Sequence, residues 1–200
     1  TTQHIKVSEL VQSLNMVLEP YPKQVPIFIT VDPLVPPVFI SEDLKIFRSA
    51  LNFLTNAAKK TTNGSIQLNI YTSKMKESPK LVFECVDTGP GVELEVYPYL
   101  FRPFRETDVQ DDGPPAVVQF TEAGAACAGN ICSMVDSMDN SGLGLYSVAH
   151  QMASLGGEYG FRPREEGSGA IFWFSIPLVV PKNSPDSLHA SMSSLGSFDM

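Results

Sequence analysis

The sequence predicts an α+β fold: a two-layer sandwich in which a mixed, mostly antiparallel sheet is covered on one face by helices. Three observations predict it. Stretches 7–18, 41–61 and 143–157 carry apolar residues at helical spacing. Five short runs, 26–32, 65–73, 80–87, 157–163 and 169–178, are rich in branched and aromatic residues and read as strands. At 200 residues and 43% apolar content the chain can build one proper core, and helices packed on one side of a sheet bury the apolar face of each.

The elements follow in order. In "VSELVQSLNMVL" (7–18), Val7, Leu10, Val11, Leu14 and Leu18 share a helical face, and Pro20 and Pro22 end the helix. "PIFITVD" (26–32) is a short strand, and "PLVPPVFI" (33–40) reads as a proline-punctuated connection. Ser41 is placed to cap the next helix, with Glu42 and Asp43 in its first turn, where the helix dipole favours acids. That helix runs to about Thr61. Leu44, Phe47, Leu51, Leu54 and Ala58 form its apolar stripe, and Asn52, Asn56 and Lys59 a polar one. Asn63-Gly64 is a turn. "SIQLNIYTS" (65–73) alternates as a half-buried strand, and "KLVFECVD" (80–87) follows after a short polar loop. Residues 93–104 are irregular and aromatic. Residues 105–140 have no periodic pattern and read as a long mobile loop, either a covering lid or disordered. In "LGLYSVAHQMASLGG" (143–157), Leu145, Val148, Met152 and Leu155 share a face, and Gly156-Gly157 stops the helix. Strands 157–163 and 169–178 close the domain, which is expected to span 1–180. The Ser-rich segment 181–200 reads as a disordered tail or linker.

Charge and composition narrow the function. With 14 basic against 22 acidic residues, net −8, the chain is a poor general nucleic-acid binder. A nucleotide needs only a few local donors and stays open. Three cysteines without metal-ligand spacing point to a reducing compartment, cytoplasm or organelle interior. The absence of a long apolar run predicts no membrane contact by this domain, although missing segments could attach a longer protein. A chain that starts "TTQHIK" is expected to be a piece of something longer.

Four stretches carry chemistry. In "VFECVDTGPGVE" (82–93) an apolar run ends on Asp87, with Gly89 and Gly91 just beyond. A carboxylate in apolar surroundings needs a donor, such as the exocyclic amine of adenine, and glycines let backbone approach a flat ligand closely. An ordinary β-turn is the alternative. In "LNFLTNAAKK" (51–60) a helix-borne Asn is an uncharged oxygen ligand suited to Mg²⁺, and Lys59 suits a phosphate oxygen. A solvated polar face is the alternative. In "NSGLGLYSV" (140–148) glycines open a helix whose free N–H groups attract anions, or make an unremarkable helix entry. In "LFRPF" (100–104) two aromatics flank a proline and either anchor the base of the long loop or pack the core.

In this order the four stretches resemble the ATP-binding domain of sensor histidine kinases, part of the GHKL superfamily. "LNFLTNAAKKT" is similar to its N box, "DTGPG" to the G1 box, "LFRPF" to the F box and "SGLGL" to the G2 box. "GSGAIFWFSIPL" is similar to the final strand, and the resemblance covers roughly residues 5–180. It implies ATP and Mg²⁺ as cofactors, with Asn56 ligating the metal and Asn52 supporting its water shell. Lys59 would touch phosphate. Asp87 would accept from the adenine amine, with Gly89 and Gly91 shaping that pocket. Gly142 and Gly144 would approach the phosphates, and Phe104, Leu143 and Leu145 would complete the nucleotide site. Residues 105–141 would form the ATP lid. Two features depart from the family: Lys60 stands where an aromatic residue is common, and the lid is long.

Hydrolytic branches of the superfamily, and the mitochondrial dehydrogenase kinases, place Glu one helical turn before the metal Asn. Here that residue is Asn52, which cannot take a proton. The resemblance therefore implies phosphoryl transfer from ATP to a histidine on a separate dimerisation domain, in two-component signalling. His4, His150 and His189 carry no phosphoacceptor context, so that histidine is expected outside this chain, on phosphoacceptor helices of the same protein. A receiver domain or response regulator would take the phosphate onward. The alternative is a degenerate module that binds nucleotide or a partner without kinase activity.

Overall fold

The computed structural model describes residues 1–73, 78–102 and 144–182. Strand β1 (Gln3–Lys6) leads directly into helix α1 (Val7–Leu18). Then come β2 (Ile27–Val31), β3 (Val38–Ser41), α2 (Asp43–Lys60), β4 (Ile66–Thr72) and β5 (Lys80–Asp87). A 3-10 helix covers Leu94–Tyr99, and α3 (Gly144–Leu155), β6 (Glu158–Pro163) and β7 (Ala170–Pro177) complete the described elements. Phe104, Gly142, Leu143, the expected lid 105–141 and residues 183–200 of the expected tail lie outside the described residues.

Five strands form one sheet in the order β2-β4-β5-β7-β6. β2 runs parallel to β4, and the other neighbours pair antiparallel, so the sheet is mixed and mostly antiparallel. Because side chains alternate along a strand, one face of each is apolar. Leu81, Phe83, Cys85 and Asp87 lie on the inner face of β5. They are flanked there by Ile66, Leu68 and Ile70 of β4 and by Phe172, Phe174 and Ile176 of β7. The helices cover this face. Phe53 of α2 reaches down to Phe172 and Phe174, with ring centroids 5.7 and 5.8 Å away, and Phe83 stacks on Phe174 at 4.7 Å.

The outer face carries a different arrangement. Glu84 is buried between strands and accepts from Arg162 Nη2 at 2.6 Å and from the Tyr71 hydroxyl at 3.2 Å. Burial, and then the nearby Glu84 charge, pushes the Tyr71 phenol above its ordinary pKa.

Three expectations need correction. Residues 38–41 are not part of a connection: they form β3, which pairs antiparallel with β1 from Gln3↔Ser41 to Lys6↔Val38. Two four-residue strands give too little periodicity to be seen in sequence, and their partners are far apart along the chain. Ser41 is therefore strand, and Glu42 occupies the cap position of α2 without a side-chain cap bond. The apolar stripe on α2 is also wider than expected. Leu44 is 52% exposed, while Ile46, Ala50, Phe53 and Ala57 join Leu51, Leu54 and Ala58 in the core. A helix wedged between α1, α3 and the sheet buries most of its circumference, so a single stripe underdescribes it.

The end of α3 follows the sequence reading. Gly156 adopts φ +66, and the Gly157 N–H donates to the Met152 carbonyl at 2.9 Å, closing the helix with a left-handed residue. Since Phe174 is fully buried among Phe53 and Phe83, Phe174→Ala should cost about 3–5 kcal/mol of unfolding free energy. Urea denaturation monitored by far-UV circular dichroism measures that loss.

Candidate functional site

One cleft gathers residues from every layer near the end of β5. It has a volume of about 180 Å³. α2 contributes Asn56, Ala57, Lys59 and Lys60, and the end of β5 with its loop contributes Asp87, Pro90, Gly91 and Val92. Leu100, the start of α3 (Gly144 and Leu145) and β7 (Ala170 and Phe172) supply the remaining walls. One end is therefore a carboxylate among apolar and glycine surfaces. Another carries a carboxamide and a lysine beside a helix N-terminus.

Asp87 is 6% exposed. Its Oδ1 accepts the Gly89 N–H at 2.9 Å, and the Ala170 N–H also donates to the carboxylate. Burial raises its pKa above the ordinary aspartate value. The two N–H groups, and more weakly the Lys60 and Arg164 charges, act in the opposite direction. Two glycines let the surrounding backbone close in. Gly91 adopts φ +82. Gly169 adopts φ +125, and a Cβ there would stand 2.0 Å from the Asp87 carbonyl oxygen. Only glycine permits both the conformation and the contact.

Asn52 and Asn56 are four residues apart, hence on one helical face. Asn56 Nδ2 donates to Asn52 Oδ1 at 3.0 Å. That bond leaves the Asn56 carbonyl oxygen as the atom with metal-ligand chemistry. Asn52 is 2% exposed and lies under the start of α3: a Cβ on Gly144 would stand 2.3 Å from Asn52 Nδ2. Gly144 thus lets α3 descend onto the carboxamide.

Of the residues singled out in sequence, Asn56, Lys59, Asp87, Gly91, Gly144 and Leu145 line this single cleft. Asn52 is buried beneath it and Gly89 is buried behind Asp87. Phe104, Gly142 and Leu143 fall outside the described residues. Within "LFRPF", Phe101 packs against Tyr159 at 4.8 Å and Phe172 at 6.3 Å, which ties the segment after the 3-10 helix to β6 and β7.

Comparison with known proteins decides the family. Residues 42–180 match the family model described as histidine kinase-, DNA gyrase B-, and HSP90-like ATPase. The chain belongs to that family. Several similar curated proteins are named histidine kinases. Sensory/regulatory protein RpfC of Xanthomonas campestris is 24% identical over 176 residues, covering 86% of this chain and 21% of the relative. Hybrid signal transduction histidine kinase B of Dictyostelium discoideum is 27% identical over 178 residues, covering 88% of this chain and 8% of the relative. The chain thus spans only about a fifth and less than a tenth of the length of these two proteins. Among solved structures, full-length ShkA in complex with AMPPNP superposes with a TM-score of 0.64 at 25% identity, over 90% of this chain and 32% of that one. The catalytic domain of histidine kinase ThkA superposes with a TM-score of 0.59 at 19% identity, over 88% of this chain and 97% of that one. The chain is thus an ATP-binding domain of the histidine kinase type, and none of its described helices is long and apolar enough to cross a membrane.

Sequence reading missed part of the cleft of this ATPase-family domain. Ala57, Pro90, Val92, Leu100, Ala170 and Phe172 are lining residues without distinctive side-chain chemistry. A weak signal existed for Ala170 and Phe172. The two alternate on β7 after "GSG", which places both on the inner face beside β5. Lys60 was visible only as a departure from the family, yet it lines the cleft beside Asp87.

The Asn52–Gly144 contact can be tested without any ligand. Gly144→Ala should destabilise the domain by about 1–3 kcal/mol, since its Cβ has nowhere to go. In an Asn52→Ala background the same change should cost clearly less, and a double-mutant cycle read by denaturant unfolding measures the coupling.

Proposed function

We propose that this chain binds Mg-ATP and donates the γ-phosphoryl group to a histidine on a separate dimerisation domain, in two-component signal transduction. The observation that carries the reading is the convergence of Asn56, Asp87 and Gly144 on one cleft, with Asn52 sealed as a neutral amide behind Asn56. In this reading Asp87 accepts from the adenine amine while Ala170, Phe172 and Leu100 pack the ring. Lys59 and the N-terminus of α3 attract phosphate. Asn56 presents its carbonyl oxygen to Mg²⁺, which binds oxygen, keeps several waters and shares its shell with phosphate. One neutral side-chain oxygen fits that requirement, and Mg²⁺ would supply charge neutralisation of the phosphates when bound.

The residue types also speak to the reaction. Phosphoryl transfer consists mainly of positioning and charge stabilisation, so the domain can hold ATP and leave the nucleophile to its partner. Asn52 cannot take a proton from water. It donates no base to hydrolysis, which favours transfer over steady ATP turnover. The partner would be the protein's own phosphoacceptor helices, and a receiver domain or response regulator would accept the phosphate next. A degenerate, non-transferring module is the second reading. Lys60 favours it, because its charge lies near the carboxylate that would read the base. Joining the domain to dimerisation helices with their histidine, then assaying acid-labile phosphate, separates the two. Label on the histidine is expected, and nucleotide binding without label would establish the module.

Asp87→Asn should weaken ATP binding by about 1.5–3 kcal/mol, the cost of losing a hydrogen bond to a charged group. Equal affinities by titration calorimetry would remove Asp87 from the base-reading role. Asn56→Ala should abolish the dependence of ATP affinity on Mg²⁺, and an unchanged metal titration would remove it from the metal site. Acidification provides a third check. A carboxylate acceptor acts above its pKa and is lost as pH falls through it. Burial raises the pKa of Asp87, so the Asp87-dependent part of ATP affinity should disappear above the ordinary aspartate range. Calorimetry of wild type and Asp87→Asn across pH 4–8 measures that difference.

A further inference from the structure

Asp87 occupies a place that resists negative charge. It is 6% exposed at the end of a central strand, and the end of α2 is packed onto the turn that follows it. A Cβ built on Gly89 would stand 3.0 Å from Asp87 Oδ1 and 3.5 Å from the Lys60 carbonyl oxygen. The carboxylate and the carbonyl end of α2 thus crowd one and the same glycine. Gly89 does not have a positive φ, so this crowding, and not backbone conformation, is what a side chain there would upset. The C-terminal end of a helix carries partial negative charge. Two conditions therefore favour the neutral acid: lost water and a nearby helix C-terminus. The N–H groups of Gly89 and Ala170 offset part of this. A positive side chain on the cleft side would offset more.

Lys60 is the last residue of α2, and its side chain lines the cleft together with Asp87. We propose that Lys60 is a positioning residue for base recognition: its ammonium, standing in the cleft beside Asp87, holds that carboxylate in the anionic form that accepts from the 6-amino group of adenine. This rests on the reading of the cleft as an ATP site and adds what keeps its base-reading acid charged. An aromatic ring, common at this position in the family, would offer surface to the base. A lysine instead offers charge to the carboxylate that reads it. The other charged and titratable groups around Asp87 are placed differently. Lys59 lines the same cleft, where the ATP reading gives it to phosphate. Arg164, beyond β6, donates to the Ser168 carbonyl at 2.9 Å and is not part of the cleft wall. Cys85 on β5 is buried, and burial pushes its thiol up, so it brings no charge. Among the described residues, α3, β7 and the segment after β5 add no charged side chain to the wall.

The test compares two nucleotides with Mg²⁺ by titration calorimetry on the whole chain, at low ionic strength and from pH 5 to 8: ATP, and purine riboside triphosphate, which lacks the 6-amino group. Lys60→Met removes the charge and keeps a long side chain, and Lys60→Arg keeps the charge. Loss of a cation from the cleft weakens both triphosphates, and the ratio of their affinities cancels that common loss. Wild type should prefer ATP by about tenfold or more at pH 8, the scale of a hydrogen bond to a charged group. The preference belongs to the anion and fades as pH falls through the Asp87 titration. Without the ammonium the acid takes its proton more readily, so in Lys60→Met the preference should fade at higher pH than in wild type. Lys60→Arg should follow wild type. Carbon-13 NMR of the Asp87 carboxyl in the nucleotide-free chain should show the same upward displacement in Lys60→Met. A Lys60→Met profile that coincides with wild type, or a Lys60→Arg profile displaced as far as that of Lys60→Met, overturns the proposal while leaving the ATP site standing. Failure of wild type to prefer ATP at any pH would overturn both this proposal and the reading beneath it.

Discussion

The site depends on a carboxylate held charged-ready at the buried end of a central strand. β5 lies between β4 and β7, so its last residue, Asp87, is surrounded on both sides by backbone. Such a group survives burial only with donors aimed at it, and the N–H groups of Gly89 and Ala170 supply them. Those donors exist because the turn before β7 presses against the end of β5. Gly169 makes that contact possible with a positive φ and no side chain. The opposing influences on Asp87 leave it a titratable acceptor that faces an open cleft.

A second seat supports the other end of the cleft. Asn52 is held between Asn56, which donates to it, and Gly144, which lies close above it. The start of α3 and the middle of α2 are thereby fixed relative to each other. α3 is also anchored by Val148 and Met152, both buried in the common core. Carboxamides on α2 and the N-terminus of α3 thus meet by packing, independently of any bound phosphate. Ser49 donates to Gln151 and Lys45 to Ser154, further polar links between the same two helices.

A chain of aromatic rings transmits order between the sheet and the cleft wall. Phe172 on β7 meets the rings of Phe53 on α2, Phe161 on β6 and Phe101 after the 3-10 helix, and Phe53 also meets Phe174 on β7. Phe172 belongs both to this chain and to the cleft lining. Tilted and edge-on ring pairs of this kind contribute about 0.5–1.5 kcal/mol per pair beyond their buried area.

Local chemistry in the sequence determined the three helices, the five strands of the main sheet, the glycine stop of α3 and the family. Each depends on periodicity, on a residue with unusual backbone freedom, or on ordered short motifs, and all of these are local. The carboxylate and carboxamide of the site were legible for the same reason: Asp87 ends an apolar run, and Asn52 and Asn56 repeat at one helical turn. Only the tertiary structure decided that β1 pairs with β3, that Leu44 faces outward, and that Lys60 and Gly169 gather around Asp87. These are contacts between residues remote in sequence. Their occurrence depends on how whole elements pack, and no local pattern encodes that distance.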